Sequence, residues 1–334
     1  MARPTLKTLA RHLDLSVTTV SRALKDGPEV RPDTIARVKA AASDLGYVPD
    51  LKGLKLRTGR TYTVYAMLAA PRADEVGDAG SVALMHGIHE TLDGGPYSLT
   101  AIPLLPGMDD LAAVRRVVDG RLADGVILDL TRPQDLRVKV LLEHDVPLVT
   151  FGRTELFSPH PYFDIDNEHA AHQATSFLAG RGHRRIALID PRLEYLFARQ
   201  RRAGYRRALA EVGLEFDESL VSNRDLGAAE SRRAVLVICG RDRPPTGFVC
   251  ANEVSTLGVL AGLRDAGLRV GADVDVVSRD GTMLTDYLTP PISTCYYSLH
   301  EVGQRLATTL LRRIDGEPPD ALQQVVQTTL IERG

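Results

Sequence analysis

The sequence predicts two structures in one chain: an N-terminal all-α helix-turn-helix domain, and an α/β body of two lobes whose parallel sheets are flanked by helices. Residues 1–48 show helical periodicity broken by short turns, whereas residues 61–334 alternate short apolar runs with amphipathic helices. Short apolar strands that alternate with helices are typical of parallel sheets buried on both faces. The charge also changes sign between the two regions, which supports the same division.

The charge separates a basic head from an acidic body. Residues 1–60 carry 12 Lys or Arg against 6 Asp or Glu, whereas the whole chain has a net charge of -2. This asymmetry indicates that only the head meets a polyanion such as DNA. The alternative is a solvated basic face that has no partner.

The composition is that of an ordinary globular chain. Its 334 residues, 44% apolar and 25% charged, give length for two or three domains. No apolar run approaches the ~20 residues of a membrane span, and the N-terminus lacks an apolar signal core. We therefore expect no membrane partner and a cytoplasmic location. Cys239, Cys250 and Cys295 suit neither a disulfide framework nor a zinc site, so no metal and no cofactor are expected.

Three amphipathic helices are predicted in the head. Thr5 and Ser16 are placed to cap the first two helices, and Pro32 begins the third. Two helices joined by a short turn, with a third closing the core, form a helix-turn-helix domain. The alternative is a generic three-helix packing module. The inner faces predicted for the three helices are Leu6, Leu9, Ala10 and Leu13; Val20 and Leu24; and Ile35, Val38, Ala42 and Leu45.

The second helix of such a domain enters the major groove, where its exposed side chains reach base edges. Valine can contact only a thymine methyl, threonine can donate or accept, and arginine can fork onto guanine or bind a phosphate. Thr19 and Lys25 are better placed for backbone phosphates. The residues of the head predicted to contact DNA are Thr5, Ser16, Val17, Thr18, Thr19, Ser21, Arg22 and Lys25.

The head closely resembles that of the lactose-repressor (LacI/GalR) family. The resemblance rests on VTTVSRAL at 17–24, followed by TIARVKAAASDLGYVP at 34–49. It implies a DNA-binding transcription regulator, most often a repressor, that binds palindromic operator DNA and responds to a small-molecule effector. It also implies a body that resembles periplasmic sugar-binding proteins.

Residues 49–60 are predicted to be a hinge. A helix this short is marginal in water, and Gly53 weakens it further, so we expect it to fold when two copies meet on DNA. The family resemblance implies that Leu56 wedges into the minor groove. The alternative is a plain basic linker. A two-fold operator favours a homodimer, although the sequence does not distinguish a dimer from a higher oligomer.

The body, residues 61–334, is predicted to place its effector between the lobes, because ligands bind at the carboxyl ends of parallel strands. The first lobe is predicted at about 61–161 and 292–322, and the second at about 162–291 and 323–334. The resemblance assigns effector contacts to Arg201, Asn252 and Asp280, with Asp166 as a further candidate. Arg153 follows a strand, and Phe197 is a candidate for stacking on a sugar.

Carboxylate, amide and guanidinium groups can form hydrogen bonds with neighbouring hydroxyl groups of a ligand, so a sugar, polyol or sugar phosphate is expected. Alternatives remain open: Asp166 and Asn252 can cap helices, Asp280 can hold a loop, and Arg201 can belong to a solvated face. The rival classes are an α/β enzyme and a sugar-binding protein fused to a DNA-binding head. No G-x-G-x-x-G after a strand, P-loop or G-x-S-x-G supports an enzyme, so no catalytic residue is predicted.

Overall fold

The computed structural model describes residues 4–24, 26–47, 58–71, 79–225 and 227–333. It divides into two compact units, Met1–Tyr62 and Thr63–Gly334. We call the described parts of these units the head and the body. Among the helices within the described ranges, none is long and apolar enough to cross a membrane.

The head consists of the three predicted helices. They are α1 (Leu6–Leu13), α2 (Val17–Ala23) and α3 (Pro32–Asp44). Thr5 caps α1, Ser16 caps α2 and Pro32 begins α3, as the sequence predicts. Leu9, Val20 and Val38 are fully buried where the helices meet. By contrast, Leu45 is exposed, so the inner face of α3 ends at Ala42.

The first lobe of the body is a six-stranded parallel sheet with helices on both faces. Helices α4 and α11 cover one face of the sheet, and α5 and α6 cover the other. The order of the strands is β11-β5-β4-β3-β1-β2. These elements are β1 (Thr63–Ala69), α4 (Ala79–Leu92), β2 (Ser98–Leu104), α5 (Asp110–Asp119), β3 (Gly125–Leu128), α6 (Leu136–Glu143), β4 (Leu148–Phe151), β5 (Tyr162–Ile165), α11 (Leu299–Ile314) and β11 (Gln323–Val326).

The second lobe repeats this arrangement. Its sheet has the order β12-β10-β9-β8-β6-β7 and is parallel except for β12. Helices α9 and α10 cover one face, and α7 and α8 cover the other. These elements are α7 (Asn167–Gly180), β6 (Ile186–Asp190), α8 (Leu196–Glu211), β7 (Val221–Asn223), α9 (Ala228–Cys239), β8 (Gly247–Cys250), α10 (Glu253–Asp265), β9 (Asp275–Asp280), β10 (Ser293–Tyr296) and β12 (Thr329–Ile331).

The chain crosses between the lobes after β5, β10 and β11, which corrects the predicted lobe boundaries of 161/162, 291/292 and 322/323. Strand β5 pairs with β4 and β11 of the first sheet, and β10 pairs with β9 of the second. The physical reason is that an apolar run identifies a strand but not the neighbour with which it pairs. The crossings after β5 and β11 are hydrogen-bonded to each other, since the backbone N–H of Asp166 donates to the carbonyl oxygen of Val326 at 2.7 Å.

Glycines allow α4 and α11 to touch through their backbones. A Cβ added at Gly87 would lie 2.0 Å from the carbonyl oxygen of His300, and one at Gly303 would lie 2.1 Å from that of Leu84. No side chain fits at such distances. The core of the first lobe therefore depends on these two glycines.

We expect Gly303→Ala to destabilise the protein by on the order of 1–3 kcal/mol or more, because overpacking forces the two helices apart. Gly180→Ala is the matched control: Gly180 ends α7 with nothing within 4 Å of an added Cβ, so this variant should unfold at the wild-type temperature or slightly above it. Thermal unfolding of the three proteins measures the difference. Equal melting temperatures for the two variants would contradict the close packing of α4 on α11.

Candidate functional site

A cavity of about 530 Å³ lies between the two sheets of the body. Residues that follow β1 to β5 form one wall, and residues that follow β6 to β9 form the other. The carboxyl ends of parallel strands are where α/β folds bind ligands, and the volume falls within the range of ~300–1,000 Å³ typical of small-molecule sites. Of the predicted effector contacts, the structure brings Arg201, Asn252 and Phe197 to this cavity.

Arg201 lines the cavity with a guanidinium group that pairs with a buried carboxylate. Its Nε lies 2.7 Å from Oδ1 of Asp190, the last residue of β6. Both side chains are almost fully buried. Burial raises the pKa of Asp190 to about 6, although the charge of Arg201 acts in the opposite direction. Arg201 is therefore not part of a solvated basic face but of a buried ion pair.

Aromatic rings connect Arg201 to the opposite lobe. Its guanidinium carbon lies 5.0 Å from the ring centre of Phe197, and Phe197 stacks on Tyr195 with ring centres 5.4 Å apart. Arg132 of the first lobe lies over Tyr195 at 5.8 Å. Cations over aromatic faces are attracted by the ring quadrupole. The two rings thus contact two arginines and join the lobes beside the cavity.

A second buried ion pair supports the wall of the first lobe. Arg137 and Asp135 are both buried, with Nη2 and Oδ2 2.7 Å apart, and Nη2 of Arg137 also donates to the carbonyls of Asp129 and Leu130. Burial alone would raise the pKa of Asp135, but Arg137 holds it below its usual value. Asp110 accepts from Arg132 at 2.7 Å. These contacts fix the ends of β3 and α5 at the cavity.

Asn252 and Glu253 begin α10 at the wall of the second lobe. Oδ1 of Asn252 accepts from the backbone N–H of Ser255 at 2.8 Å, so this residue caps the helix and lines the cavity at the same time. Glu253 is buried and accepts from the backbone N–H of Gly281 at 2.6 Å. Burial raises the pKa of Glu253 to about 7.

Two of the predicted effector contacts, Asp280 and Asp166, accept hydrogen bonds from backbone N–H groups in the structure. Asp280 is fully buried and is not among the residues that line the cavity. Its carboxylate accepts from the backbone N–H groups of Thr282, Met283 and Thr285, which fixes the loop after β9. Asp166 caps α7 by accepting from the backbone N–H of His169 at 3.0 Å. Both carboxylates are occupied by backbone donors because each stands where a strand ends.

Arg153 is paired with a carboxylate and is not among the residues that line the cavity. Its Nε donates to Oδ2 of Asp164 at 2.7 Å, and Asp164 rather than Arg153 lines the cavity. Burial raises the pKa of Asp164 despite this partner. Asn167 also donates to Asp164, at 3.3 Å.

The charges that line the cavity balance. Six arginines and six carboxylates contribute to its walls. Four of these arginines, 132, 137, 192 and 201, have an acidic partner at 2.7 Å. Within the described residues, no group of His, Cys, Asp and Glu is arranged to hold a metal ion. The cavity therefore presents polar groups and paired charges to a ligand, and not charges of one sign alone.

The head presents the predicted surface of α2. Val17, Thr18 and Arg22 are exposed, whereas Ser21 is half-buried. The hydroxyl of Ser16 accepts from the backbone N–H of Thr19 at 3.0 Å, and the two hydroxyls lie 2.8 Å apart.

Several predicted DNA contacts have partners within the head or lie outside the described residues. The hydroxyl of Thr5 accepts from the backbone N–H of Thr8 at 3.2 Å in a capping box. Arg22 pairs with Glu29 at 3.2 Å, which the sequence analysis missed. Lys25 and Leu56 lie outside the described residues, as does nearly all of the predicted hinge.

Two family models match this chain, one in the head and one in the body. Residues 5–50 match the model of "Bacterial regulatory proteins, lacI family", and residues 175–334 match that of a "Periplasmic binding protein-like domain". The transcriptional regulator AglR of Rhizobium meliloti (strain 1021) is 33% identical, over 98% of this chain and 93% of that protein. The chain belongs to the LacI family. It is a helix-turn-helix regulator of transcription that binds DNA.

Solved structures of the family share this fold. The CelR–cellobiose complex is 30% identical, with 99% of each chain covered and a TM-score of 0.74. The lac repressor dimer bound to operator and an anti-inducer is 23% identical, over 99% of this chain and 98% of that one, with a TM-score of 0.78. The predicted fold class, a helix-turn-helix domain with a periplasmic-binding-protein-like body, is thereby confirmed.

None of Asp190, Asp135 and Glu253 was predicted from the sequence as a site residue. Asp190 could have been selected by the rule that ligands bind at the carboxyl ends of strands, because it directly follows the apolar run IALI at 186–189. Its partner Arg201 lies one element further along the chain, and sequence alone does not show that the two side chains meet. Glu253 follows Asn252 directly, but its burial depends on the loop after β9.

We expect Glu29→Gln to raise affinity for DNA by about two- to fivefold, since an exposed ion pair of ~0.2–1 kcal/mol no longer competes for Arg22. Asp33→Asn is the control, because it changes the same formal charge on an exposed residue of α3. Fluorescence anisotropy on an operator selected from randomised duplexes measures both variants. If they change the affinity equally, Glu29 acts through net charge and not through Arg22.

Proposed function

We propose that this regulator is a repressor that binds palindromic operator DNA as a homodimer and releases or retains it according to a neutral carbohydrate bound between the lobes. The observation that carries the proposal is the charge-balanced cavity at the facing strand ends. We further propose that the body binds its ligand without turning it over, and that the protein acts in the cytoplasm. The similar proteins are named transcription regulators, which supports both statements.

The chemistry of the walls favours a ligand with many hydroxyl groups. Guanidinium groups donate in a fork, carboxylates accept, and the amide of Asn252 can do both. A site built from such groups rejects ligands that leave its buried polar atoms without partners. The similar CelR was solved with cellobiose. A neutral sugar therefore fits this cavity better than an apolar ligand does.

The volume favours more than one sugar ring. At about 30 Å³ per water-sized group, 530 Å³ holds roughly eighteen such groups, more than the dozen or so carbon and oxygen atoms of one hexose. Because covalently bonded atoms occupy less space than separate water molecules, the cavity has room for two sugar rings, and we propose a disaccharide as the effector.

The two walls belong to different lobes, so a ligand that touches both favours one angle between them. In the structure the lobes are also joined beside the cavity, where the backbone N–H of Leu196 donates to the carbonyl of Thr131 at 3.0 Å. A ligand that stabilises one lobe angle shifts the population of states that the hinge segments experience. Coupling free energies of ~1–3 kcal/mol are typical of such linkage.

At the DNA, we propose that α2 reads base edges through Val17, Thr18, Ser21 and Arg22. Ser16 and Thr19 hold the start of this helix and approach phosphates. Thr5 holds the start of α1, and Lys25 and Leu56 contribute the phosphate contact and the minor-groove wedge that the family pattern implies. Two copies of one short helix match a two-fold operator.

We expect Arg201→Met to weaken binding of the effector at least about tenfold, because a charge-assisted hydrogen bond is lost. Asn252→Asp should also weaken it, since this change replaces the amide donor with a carboxylate and keeps the cap. Arg199→Met is the matched control: Arg199 lies on the same helix but is not among the residues that line the cavity. A thermal-shift screen of neutral mono- and disaccharides, followed by calorimetry, identifies the ligand.

The effector is then added to the protein bound to its selected operator. A change in operator affinity with wild type and with Arg199→Met, but not with Arg201→Met, supports the proposal. If no neutral carbohydrate binds, or if Arg199→Met and Arg201→Met lose affinity equally, the proposed effector site is wrong.

A further inference from the structure

The ion pair between Asp190 and Arg201 differs in its environment from the exposed Arg192–Asp225 pair of the same lobe. Its side chains expose 0% and 8% of their surface, whereas the Arg192–Asp225 pair on the same lobe exposes 58% and 47%. Charge interactions in the buried environment are screened much less by solvent. Of these two pairs, only Asp190–Arg201 is left with an uncompensated buried charge when one partner is removed.

The geometry leaves Asp190 dedicated to this single arginine. Neither carboxylate oxygen of Asp190 accepts a well-directed hydrogen bond from the described residues, although Nε of Arg201 lies only 2.7 Å away. The attraction of the charges, rather than a network of hydrogen bonds, holds the pair. Asp190 itself does not line the cavity, whereas Arg201 does.

We propose that Asp190 is a positioning and selectivity residue: it cancels the charge of Arg201, so that the cavity accepts a neutral ligand and rejects an anionic one such as a phosphorylated sugar. This inference rests on the proposed function, because it concerns the same cavity. It goes further by naming the residue that excludes anions.

The energetic reason is the desolvation of the arginine. An unpaired guanidinium in a buried site requires an anion, and a phosphate group is the ligand that arginine binds best through paired hydrogen bonds. When Asp190 supplies the negative charge, a phosphate would instead bring a second anion into the same surroundings. The other N–H groups of Arg201 then donate hydrogen bonds to hydroxyl oxygens, which carry no net charge.

The test uses inorganic phosphate as the probe and the full-length protein. Asp190→Asn retains the shape of the side chain and removes its charge, so binding of phosphate should become at least about tenfold tighter than in wild type. Asp265→Asn is the matched control: it removes the same formal charge beside the exposed Arg232 of the same lobe, and neither residue lines the cavity. It should leave phosphate binding unchanged.

Calorimetry and the shift in melting temperature with phosphate measure all three proteins. The double variant Asp190→Asn/Arg201→Met should lose the gained binding, which separates the cavity from phosphate bound by the basic head. A gain of equal size in Asp190→Asn and Asp265→Asn, or a gain that survives in the double variant, would overturn the proposal.

If Asp190→Asn does not fold, wild type is compared with the double variant Asp190→Asn/Arg201→Met, which removes both charges and leaves neither unpaired. Phosphate should bind these two proteins equally, because Asp190 has already satisfied the arginine. Tighter binding of phosphate to wild type than to the double variant would overturn the inference. These readouts do not involve a carbohydrate, so they can fail while the proposed neutral effector is confirmed, and the reverse also holds.

Discussion

The constraint on which the body depends is the direction of its strands. Eleven of the twelve strands described between Thr63 and Ile331 run parallel to their neighbours in two sheets, and the residues that follow most of them lie at one cavity. A parallel strand must be followed by a connection that returns along the sheet, so the turn at its carboxyl end is exposed and free to carry polar groups. The position of every cavity residue follows from this arrangement.

The polar groups at these turns carry charges that are neutralised locally. Arg137 with Asp135 and Arg201 with Asp190 are buried pairs, one in each lobe. Buried pairs add little stability compared with apolar side chains, so their presence beside a cavity indicates a role in recognition. They hold donors in fixed directions while the cavity remains neutral, which connects the fold to the kind of ligand proposed.

The sequence was sufficient for the fold class and for the head, and insufficient for contacts between distant elements. Helical spacing predicted α1, α2 and α3, and the alternation of strands and helices predicted the body. The apolar run at Tyr162–Ile165 was recognisable as a strand, but its neighbours β4 and β11 lie in segments that sequence does not connect.

The same limit explains the candidate site. A polar residue after a strand can line a cavity, as Asn252 does, or bind only the backbone, as Asp280 does. The two roles need the same residue types at the same position, and only the path of the following loop distinguishes them. Asp190 was missed for the complementary reason, because its role depends on an arginine of the next helix.

The most direct test of the account is reciprocity between the cavity and the DNA. Calorimetry would measure the affinity of an identified disaccharide for the free protein and for the protein bound to its operator. The account predicts that the operator changes the affinity for the sugar by the same factor by which the sugar changes the affinity for the operator. Equal affinity of the sugar for the free and the DNA-bound protein would contradict it.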